Sequence, residues 1–577
     1  MLNRGIPIEQ QEEWLTSGWE YINHWNAFGG TWMTRAAEKI QTAIENQMDV
    51  LVIIDSDLDG YTSASILMNY LYAIEPEWSE KHLSYLHHCG KEHGLSDVLD
   101  EIMDRWPRIV IVPDGGTNDV KYMKALNDVD INVLVLDHHL ASEEPLDNGC
   151  SLVVNVQTTD YPNKSLTGAG VAWQFCRAMD ELFPREIGPQ ANQFLDLCAL
   201  GNCADMADSR ELEIRALMNL GFDNIKNPFF FHMCKQHEYT LNKRNGLNYL
   251  SIAFAVVPFV NAITRSGTME EKDMVFKGML TQYAFDKVSS SKRGQKDVKV
   301  YRYQEAVTIA DRVKRRQDKL VQETVELLDK KVREENLLDK HDILFFACEP
   351  DEVESTIAGL IANKMQAKYQ RPCIVARRVR DLDGKEYYRG SGRNYSYCPI
   401  EDMRQLCEST ESVEWAQGHS KAFGISIAAE NIDNFLTSSD MLYISVDLTP
   451  VYWVDYIWKP QDLDAKNILE IADLNIWGQE MPQSSIVVQD IPLSEDNVQI
   501  LGLAKGRPTL KIECNGIEFM KFGSSEEEYE QFIQPNSYLT IIGTCSKNEW
   551  NGNIKPQIMI DDFKLEQICE LEQRWVF

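Results

Sequence analysis

Residues 49–60 read DVLVIIDSDLDG, a short apolar run that ends at three carboxylates and a glycine. Over residues 61–73 apolar side chains recur at helical spacing, so this stretch predicts a strand, an acidic loop and a helix. Three more apolar runs end at polar residues, at Asp114, at the DHH sequence of residues 137–139 and at Asn155. Short strands that alternate with helices indicate a mostly parallel sheet, whose ligands lie beyond the carboxyl ends of the strands.

The remainder of the chain predicts further domains. Residues 303–340 are highly charged, lack Gly and Pro, and space their apolar side chains as one long amphipathic helix. A second α/β stretch follows, and the final segment alternates apolar and polar positions in short runs, as in a small antiparallel barrel. We divide the chain into an N-terminal helical segment (1–48), a first α/β domain (49–302), a connecting helix (303–340), a second α/β domain (341–450), a linker (451–473) and a C-terminal β domain (474–577).

Composition limits the class of protein. The chain has 577 residues and a formal net charge of −32, which argues against a general nucleic-acid coat but allows a local basic channel. Its 13 cysteines form no CxxC pair, which is typical of reduced thiols in a cytoplasmic protein. The longest apolar stretch, residues 251–263, is too short to span a bilayer, and no signal sequence opens the chain. We therefore expect a cytoplasmic monomer that does not associate with membranes.

The acidic loop predicts a metal site. Asp55, Asp57 and Asp59 alternate directly after a predicted strand. Without a counter-ion these carboxylates would repel one another, and hard divalent cations relieve such repulsion through oxygen ligands. An EF-hand calcium loop is excluded because its twelfth position is Ile66 instead of Glu, and because a strand precedes the loop.

The sequence Asp137-His138-His139 offers imidazole and carboxylate donors together at the end of another predicted strand. This mixture suits Mn²⁺ or a similar ion better than Ca²⁺. Adjacent residues at a strand end point in opposite directions, so one histidine can bind an ion while the other faces the substrate or the residues that surround the ligands. Two surface histidines without a role are the alternative, which the acidic loop and Asp114 disfavour.

Several motifs, taken in order, resemble a known family. DSDLDG (55–60), Asp114, DHH (137–139) and LGNCAD (200–205) resemble the four-motif signature of the DHH phosphoesterases. Later stretches are similar to RecJ-like single-strand-specific DNA exonucleases: YP (161–162), LTGAGVA (166–172), NAITR (261–265), GSGR (390–393), GHSKAFG (418–424) and IWGQ (476–479). The resemblance covers residues 49 to about 570. It implies an α/β fold with a DHH parallel-sheet domain, a DHHA1 α/β domain joined to it by the long helix, and a C-terminal OB-like β-barrel.

The resemblance also implies an activity. It predicts a metal-dependent exonuclease that hydrolyses single-stranded DNA from 5′ to 3′ and releases 5′-mononucleotides, in DNA repair, recombination or replication. Two divalent ions, Mn²⁺ or Mg²⁺, would be the cofactors, and a single-strand-binding protein or a helicase would be a partner besides single-stranded DNA. Two other functions stay open: a DHH/DHHA1 phosphodiesterase of short oligonucleotides or cyclic dinucleotides, and a non-catalytic DHH-fold scaffold of a replication complex. The OB-like segment favours a polymeric strand, and retention of the ligand residues favours an enzyme.

The implied site has two metal positions, a catalytic group and a substrate-binding group. The candidate metal ligands are Asp55 and Asp57 for one ion, Asp59, His138 and Asp205 for the other, and Asp114 between both. The catalytic candidates are Asp114, His138, His139 and Asp205, with His139 on the scissile phosphate or the leaving oxygen. The substrate-binding candidates are Asn155, Asn261, Arg265, Ser391, Arg393 and His419. Arg265 and Arg393 are chosen because a guanidinium group can donate two parallel hydrogen bonds to phosphate oxygens. The alternative is a role in a turn for Asn155 and His419, and a surface salt bridge for Arg265.

Two further features complete the sequence prediction. Trp550, beside Asn551-Gly552 in a predicted hairpin turn, is the candidate for stacking on a base. Residues 82–93 contain four histidines and one cysteine, in a spacing that fits no zinc pattern. We expect this segment to be a strand and loop that line the substrate.

Overall fold

A five-stranded parallel sheet forms the centre of the first domain in the computed structural model of this chain. The structure describes residues 1–90, 93–142, 144–295, 297–381, 384–395, 397–443, 446–447, 449, 451–503, 508–534, 536–550 and 552–567. The Trp550 side chain and Asn551 lie outside this description, so the stacking prediction stays a prediction. The strands are β1 (Val50–Ile54), β2 (Leu83–His87), β3 (Ile109–Pro113), β4 (Asn132–Asp137) and β5 (Ser151–Asn155), in the order β2-β1-β3-β4-β5. All four pairings are parallel, which confirms the predicted sheet type.

Helices cover both faces of this sheet. The helices of the first domain are α1 (Gln11–Thr16), α2 (Trp32–Glu45), α3 (Leu58–Ile74), α4 (Pro76–His82), α5 (Leu99–Arg105), α6 (Val120–Asn127), α7 (Gly168–Leu182), α8 (Leu195–Ala204), α9 (Leu212–Asp223), α10 (Pro228–Gln236), α11 (Glu238–Asn242), α12 (Tyr249–Ala255), α13 (Val257–Ser266), α14 (Met269–Met279) and α15 (Thr281–Ala284). Val50, Val52 and Ile54 face the core that contains α3 and α7. Leu51 and Ile53 face the opposite core, beneath α5 and α6. Burial on both faces explains why the strands are continuously apolar.

One long helix connects the first two domains. A hairpin of β6 (Lys287–Ser289) and β7 (Lys299–Tyr301) precedes helix α16 (Arg302–Glu334). This helix has 33 residues, which corresponds to about 50 Å. Val307 and Val313 near its start belong to the first domain's core, whereas Leu328 and Val332 near its end belong to the second domain's core. The helix therefore packs into the cores of both domains and connects them.

The second domain contains a mixed sheet. Its strands are β8 (Leu344–Cys348), β9 (Cys373–Arg380), β10 (Glu386–Arg393), β11 (Trp415–His419) and β12 (Ala422–Ala428), in the order β11-β12-β10-β9-β8. Only the β8–β9 pairing among these is parallel. Its helices are α17 (Ala358–Tyr369), α18 (Met403–Ser409) and α19 (Ile432–Tyr443).

The C-terminal module is a seven-stranded sheet with its own core. Its strands are β13 (Tyr456–Trp458), β14 (Ser485–Pro492), β15 (Val498–Leu501), β16 (Thr509–Cys514), β17 (Ile517–Phe522), β18 (Ser537–Trp550) and β19 (Asn553–Gln567), in the order β13-β14-β18-β19-β17-β16-β15. Two helices belong to it, α20 (Ala465–Ala472) and α21 (Glu526–Phe532). The sheet is antiparallel apart from the β13–β14 and β17–β19 pairings. Ile468 of α20 lies in the module's core, so part of the predicted linker packs as part of this module.

The N-terminal segment joins the first domain to the C-terminal module. The Arg4 guanidinium donates to both carboxylate oxygens of Asp455, at 2.7 and 2.9 Å. The Trp14 indole donates to the Ser209 carbonyl at 3.1 Å. Trp14 also shares a small core with Trp477 of the IWGQ motif. Residues from three distant parts of the sequence therefore pack together.

One helical stretch, Tyr249–Ser266, is long and apolar enough by composition to cross a membrane. It comprises helices α12 and α13, and 56% of it is buried inside the protein. Core helices can have the same length and apolar composition, so this stretch is weak evidence for a membrane span. The cysteines that the structure describes are all free thiols.

Candidate metal centre

The carboxyl edge of the parallel sheet gathers the predicted ligands. Their oxygen and nitrogen atoms form three groups, each with its atoms within 4.8 Å of one another. The groups are Asp55, Asp57 and Asp114; Asp59, His138 and Asp205; and Asp114, Asp137, His138 and His139. The first two groups correspond to the two predicted metal positions, with Asp114 in the first and third groups.

His138 lies at the centre of this arrangement. Its Nε2 atom is 3.1 Å from Asp114 Oδ1, 3.4 Å from Asp205 Oδ2 and 4.0 Å from Asp59 Oδ2. Among the described residues, four buried atoms of the cluster make no hydrogen bond: Asp55 Oδ1, Asp59 Oδ2, Asp114 Oδ1 and His138 Nε2. Buried acceptors that converge without donors are costly unless a cation neutralises them. The donor set of carboxylate oxygens and imidazole nitrogen fits Mn²⁺ or a similar divalent ion.

The pKa values of the cluster express the same crowding. Burial and neighbouring carboxylates raise the pKa of Asp59 to about 7 and that of Asp205 to about 8. The same two causes raise the pKa of Asp114 well above its ordinary value. Burial and the adjacent His139 lower the pKa of His138 to about 4, so its imidazole is neutral, which is the form that binds metal. A cation bound beside these acids would favour their ionised forms.

Three glycines allow the backbone to approach these carboxylates. A Cβ at Gly60 would lie 2.4 Å from Asp55 Cβ, and a Cβ at Gly168 would lie 2.5 Å from Asp114 Cβ. A Cβ at Gly201 would lie 2.4 Å from Asp59 Oδ1. These close approaches account for one glycine in each of the DSDLDG, LTGAGVA and LGNCAD motifs. They show that the motifs encode the packing of the site as well as its ligands.

Local hydrogen bonds fix the acidic loop. Asp59 Oδ1 accepts from the Thr167 hydroxyl at 2.9 Å and from the Ala169 backbone N–H at 3.1 Å, at the start of α7. Asp57 caps α3 by accepting from the Gly60 N–H at 3.0 Å. Asn261 Oδ1 accepts from the backbone N–H that opens α3, at 3.1 Å. The structure therefore gives Asn261, a predicted substrate contact, a role in positioning the loop.

Asp137 organises the DHH turn, a role that the sequence analysis did not give it. It is fully buried, and its Oδ1 accepts from the His138 N–H at 2.7 Å and from His139 Nδ1 at 2.8 Å. Its other oxygen accepts from Thr117, through the hydroxyl at 2.5 Å and the N–H at 3.1 Å. Although burial opposes it, this bond to Asp137 raises the pKa of His139 to about 10. Asp137 is the first residue of the DHH motif, and its place in the motif was the sequence feature that could have indicated this role.

Asn155 belongs to the same network. Its side-chain amide donates to Thr117 Oγ1 at 2.8 Å and to the His139 carbonyl at 2.9 Å, and its oxygen accepts from the Gln157 N–H at 2.7 Å. The side chain is fully buried. The structure therefore places this predicted substrate contact behind the DHH turn, where it holds the turn in position.

The predicted anion-binding residues come from two domains. Arg265 lies in the last turn of α13 in the first domain, and Ser391 and Arg393 lie on β10 in the second. A Cβ at Gly359 would lie 2.7 Å from the Arg393 guanidinium and 3.5 Å from Ser391 Oγ, so both side chains lie close to Gly359. Burial lowers the pKa of both arginines, and repulsion by Arg265 lowers that of Arg393 further. The two guanidinium groups, one from each domain, therefore repel one another.

His419 is exposed at the end of β11, on the edge strand of the second sheet. Its backbone pairs with Ala422 of β12, at the tight turn between these two strands. The structure leaves its side chain open to solvent, and its predicted contact with the substrate stays a prediction.

Comparisons with known proteins agree with this fold. The DHH family N-terminal domain matches residues 49–202, and the RecJ OB domain matches residues 454–562. The chain is 30% identical over 582 residues to YorK of the Bacillus subtilis SPbeta prophage, which is named as a single-strand DNA-specific exonuclease. That alignment covers 100% of this chain and 96% of the relative. The chain is 23% identical to the single-stranded-DNA-specific exonuclease RecJ of Bacillus subtilis, over 92% of this chain and 63% of that protein.

Solved structures share the architecture. RecJ from Thermus thermophilus in complex with Mn²⁺ superposes with a TM-score of 0.69 at 19% identity, covering 93% of this chain and 72% of that one. An exonuclease RecJ bound to manganese superposes with a TM-score of 0.53 at 20% identity, covering 72% of this chain and 95% of that one.

The parallel sheet, with aspartate and histidine side chains clustered at one edge, defines a DHH-type protein. The chain belongs to the RecJ-like family of single-strand DNA-specific exonucleases. The family resemblance and the α/β fold class predicted from the sequence are confirmed.

Proposed function

We propose that this protein is a metal-dependent exonuclease that hydrolyses single-stranded DNA from the 5′ end and releases 5′-mononucleotides. The observation that carries the proposal is that five aspartates and His138 converge, and that four of their buried atoms lack a hydrogen-bond partner. The relatives' names support the substrate, and the manganese of the two similar structures supports the ion. The direction rests on the family resemblance.

Two ions would bind at the two ligand groups. Asp55 and Asp57 would hold one ion, Asp59, His138 and Asp205 the other, and Asp114 would contact both. When bound, the ions would activate a water molecule and neutralise charge that develops on the attacked phosphate. The lowered pKa of His138 keeps its ring neutral, which is the form that binds an ion.

The remaining residues would position the DNA. His139 carries a positive charge near neutral pH, and nearly half of its side chain is exposed, so it can donate to a phosphate oxygen. Arg265 and Arg393 repel one another, and a phosphate between them would relieve that repulsion. Ser391 lies beside Arg393 and can donate to the same phosphate. Contacts from both domains would then hold the end of the strand against the metal centre.

The C-terminal module would bind the strand beyond the cleaved nucleotide, with Trp550 as the candidate stacking residue. We infer a cytoplasmic role in DNA repair, recombination or replication, with a single-strand-binding protein or a helicase as partner.

A single assay tests the proposal. Single-stranded DNA labelled at the 5′ or the 3′ end, and a circular single strand, are incubated with Mn²⁺, Mg²⁺ or EDTA. We expect mononucleotides from the 5′ end with either metal, and no hydrolysis of the circle or in EDTA. Asp114→Asn should abolish turnover, whereas Asp147→Asn, at the opposite edge of the sheet in a pair with Arg35, should not.

Each alternative has its own result. Hydrolysis that persists in excess EDTA would contradict metal dependence, and cleavage of the circle would indicate an endonuclease. Turnover of dinucleotides alone would indicate the oligonucleotide phosphodiesterase. No turnover by the folded protein with any ion would indicate the scaffold.

A further inference from the structure

Strand β2 ends at His87, and a second histidine, His88, follows it in different surroundings. The His87 ring packs among Tyr61, Tyr85 and Phe276, with ring centroids 5.5 to 5.7 Å apart. The next residue, His88, lies beside the acidic loop, because β2 pairs in parallel with β1 and both strands end at the same edge. Its side chain is only 1% exposed. His88 is therefore a buried titratable group that the mechanism above does not use.

The orientation of the His88 ring is fixed from two sides. Its Nδ1 lies 2.7 Å from Asp97 Oδ1. The buried Lys272 ammonium donates to the His88 backbone carbonyl at 3.0 Å and to that of Cys89 at 3.3 Å, which holds the strand end in place. The ring therefore presents Nε2 towards Asp55.

The atoms that face each other here are both without partners. His88 Nε2 lies 3.9 Å from Asp55 Oδ1, and neither atom makes a hydrogen bond within the described part of the chain. The other Asp55 oxygen is already bonded to His93 Nδ1 at 2.5 Å. The separation of 3.9 Å is too long for a hydrogen bond. Two ligands that each lie about 2.1 Å from one ion can, however, be up to about 4.2 Å apart.

The tautomer follows from the Asp97 contact. A carboxylate only accepts hydrogen bonds, so Nδ1 must carry the proton at 2.7 Å from Asp97. In the neutral ring Nε2 then carries a lone pair, and it faces a second lone pair on Asp55. A cation between them satisfies both atoms. The carboxylate–histidine pair also has the arrangement that commonly orients a metal-binding imidazole.

We propose that His88, oriented by Asp97, is a nitrogen ligand of the ion held by Asp55, Asp57 and Asp114. This inference rests on the proposed metal dependence, and it gives the first ion an imidazole as His138 does for the second. An imidazole ligand favours Mn²⁺ and similar transition metals over Mg²⁺, which prefers oxygen. The first site therefore selects Mn²⁺.

Metal binding without DNA tests the proposal separately from catalysis. Calorimetric titration with Mn²⁺ and with Mg²⁺ is compared for the wild type, His88→Gln and Asp97→Asn. His87→Gln is the matched control, because it alters the neighbouring ring on the aromatic side. Asp97→Asn keeps His88 and withdraws only the orienting carboxylate, so it should weaken one Mn²⁺ site about 10- to 100-fold. His88→Gln should weaken that site at least as much, with little change for Mg²⁺, and melting curves in EDTA verify folding.

A crystal structure of the wild type with Mn²⁺ then locates the ions by anomalous scattering. We expect manganese within bonding distance of His88 Nε2. Unchanged Mn²⁺ affinity in both variants, or manganese bound only by the aspartates at this position, would overturn the role of His88 alone. A wild type that binds no divalent ion would overturn the proposed function as well.

Discussion

Gly168→Ala should disable the site through a single methyl group. Gly168 opens α7, and a Cβ there would lie 2.5 Å from Asp114 Cβ and 2.8 Å from its Cα. Ordinary contact begins at 3.4 Å, so Asp114 and the start of α7 must separate by about 0.9 Å. Overpacking of this kind costs about 1–3 kcal/mol of stability. A displacement of about 1 Å at a catalytic group can cost about 100-fold in rate.

The assay compares Gly168→Ala with Gly278→Ala. A Cβ at Gly278 would lie 2.6 Å from Ala306 Cβ, between α14 and α16, so the overpacking is similar but no carboxylate moves. We expect similar losses of melting temperature in both variants. Only Gly168→Ala should lose about 100-fold in kcat and bind Mn²⁺ more weakly. If the folded Gly168→Ala keeps wild-type kcat, or if both variants lose activity equally, the claim that glycine sets the position of Asp114 is wrong.

Three further predictions follow from the site and the domain contacts. In EDTA the melting temperature should fall as the pH rises from about 4 to 8, because Asp205, with a pKa of about 8, binds its proton more tightly in the folded state than in the unfolded state. Asp205→Asn should flatten this dependence on pH, and saturating Mn²⁺ should reverse it. An unchanged dependence in the variant would show that Asp205 is not the group that titrates. Asp137→Asn should lower kcat about 10- to 100-fold by releasing the His139 ring, while Mn²⁺ affinity measured by calorimetry stays nearly constant. Arg4→Ala removes one partner of a partly buried ion pair and should cost about 1–3 kcal/mol in thermal unfolding. It should slow the turnover of long strands more than the turnover of dinucleotides. Arg35→Ala, whose pair is more exposed, should cost at most about 1 kcal/mol.

The sequence was most informative where the chain changes from strand to loop. Parallel strands end at one edge, so residues that follow different strands, such as Asp55, Asp114 and His138, could be predicted to lie together. The structure brings these residues together, and their metal roles stay predictions. The sequence shows that the motifs contain glycines, but only the distances to the aspartate side chains in the structure explain why glycine is needed there.

Contacts between distant segments could not be predicted in this way. The bond from Asn261 to the start of α3 joins residues 203 positions apart, and no periodicity encodes it. Asn155 was expected at the substrate because it ends a strand, yet its side-chain amide donates hydrogen bonds to Thr117 and to the His139 carbonyl, behind the DHH turn. His88 follows a strand as Asp55 does, but only the Asp97 contact shows which ring nitrogen faces the site.

The C-terminal module also contacts the loop that follows Asp205, over a large separation in sequence. Ser209, four residues after Asp205, donates to the Gln479 carbonyl through its N–H at 3.1 Å and its hydroxyl at 2.6 Å. Gly478 packs so closely against Ser209 that a Cβ would lie 2.7 Å from its hydroxyl oxygen. The IWGQ motif therefore fixes the loop that follows a candidate metal ligand. Because Arg4 binds the same module at Asp455, any shift of the module changes both contacts, and the position of Asp205 depends on a segment far from it in sequence.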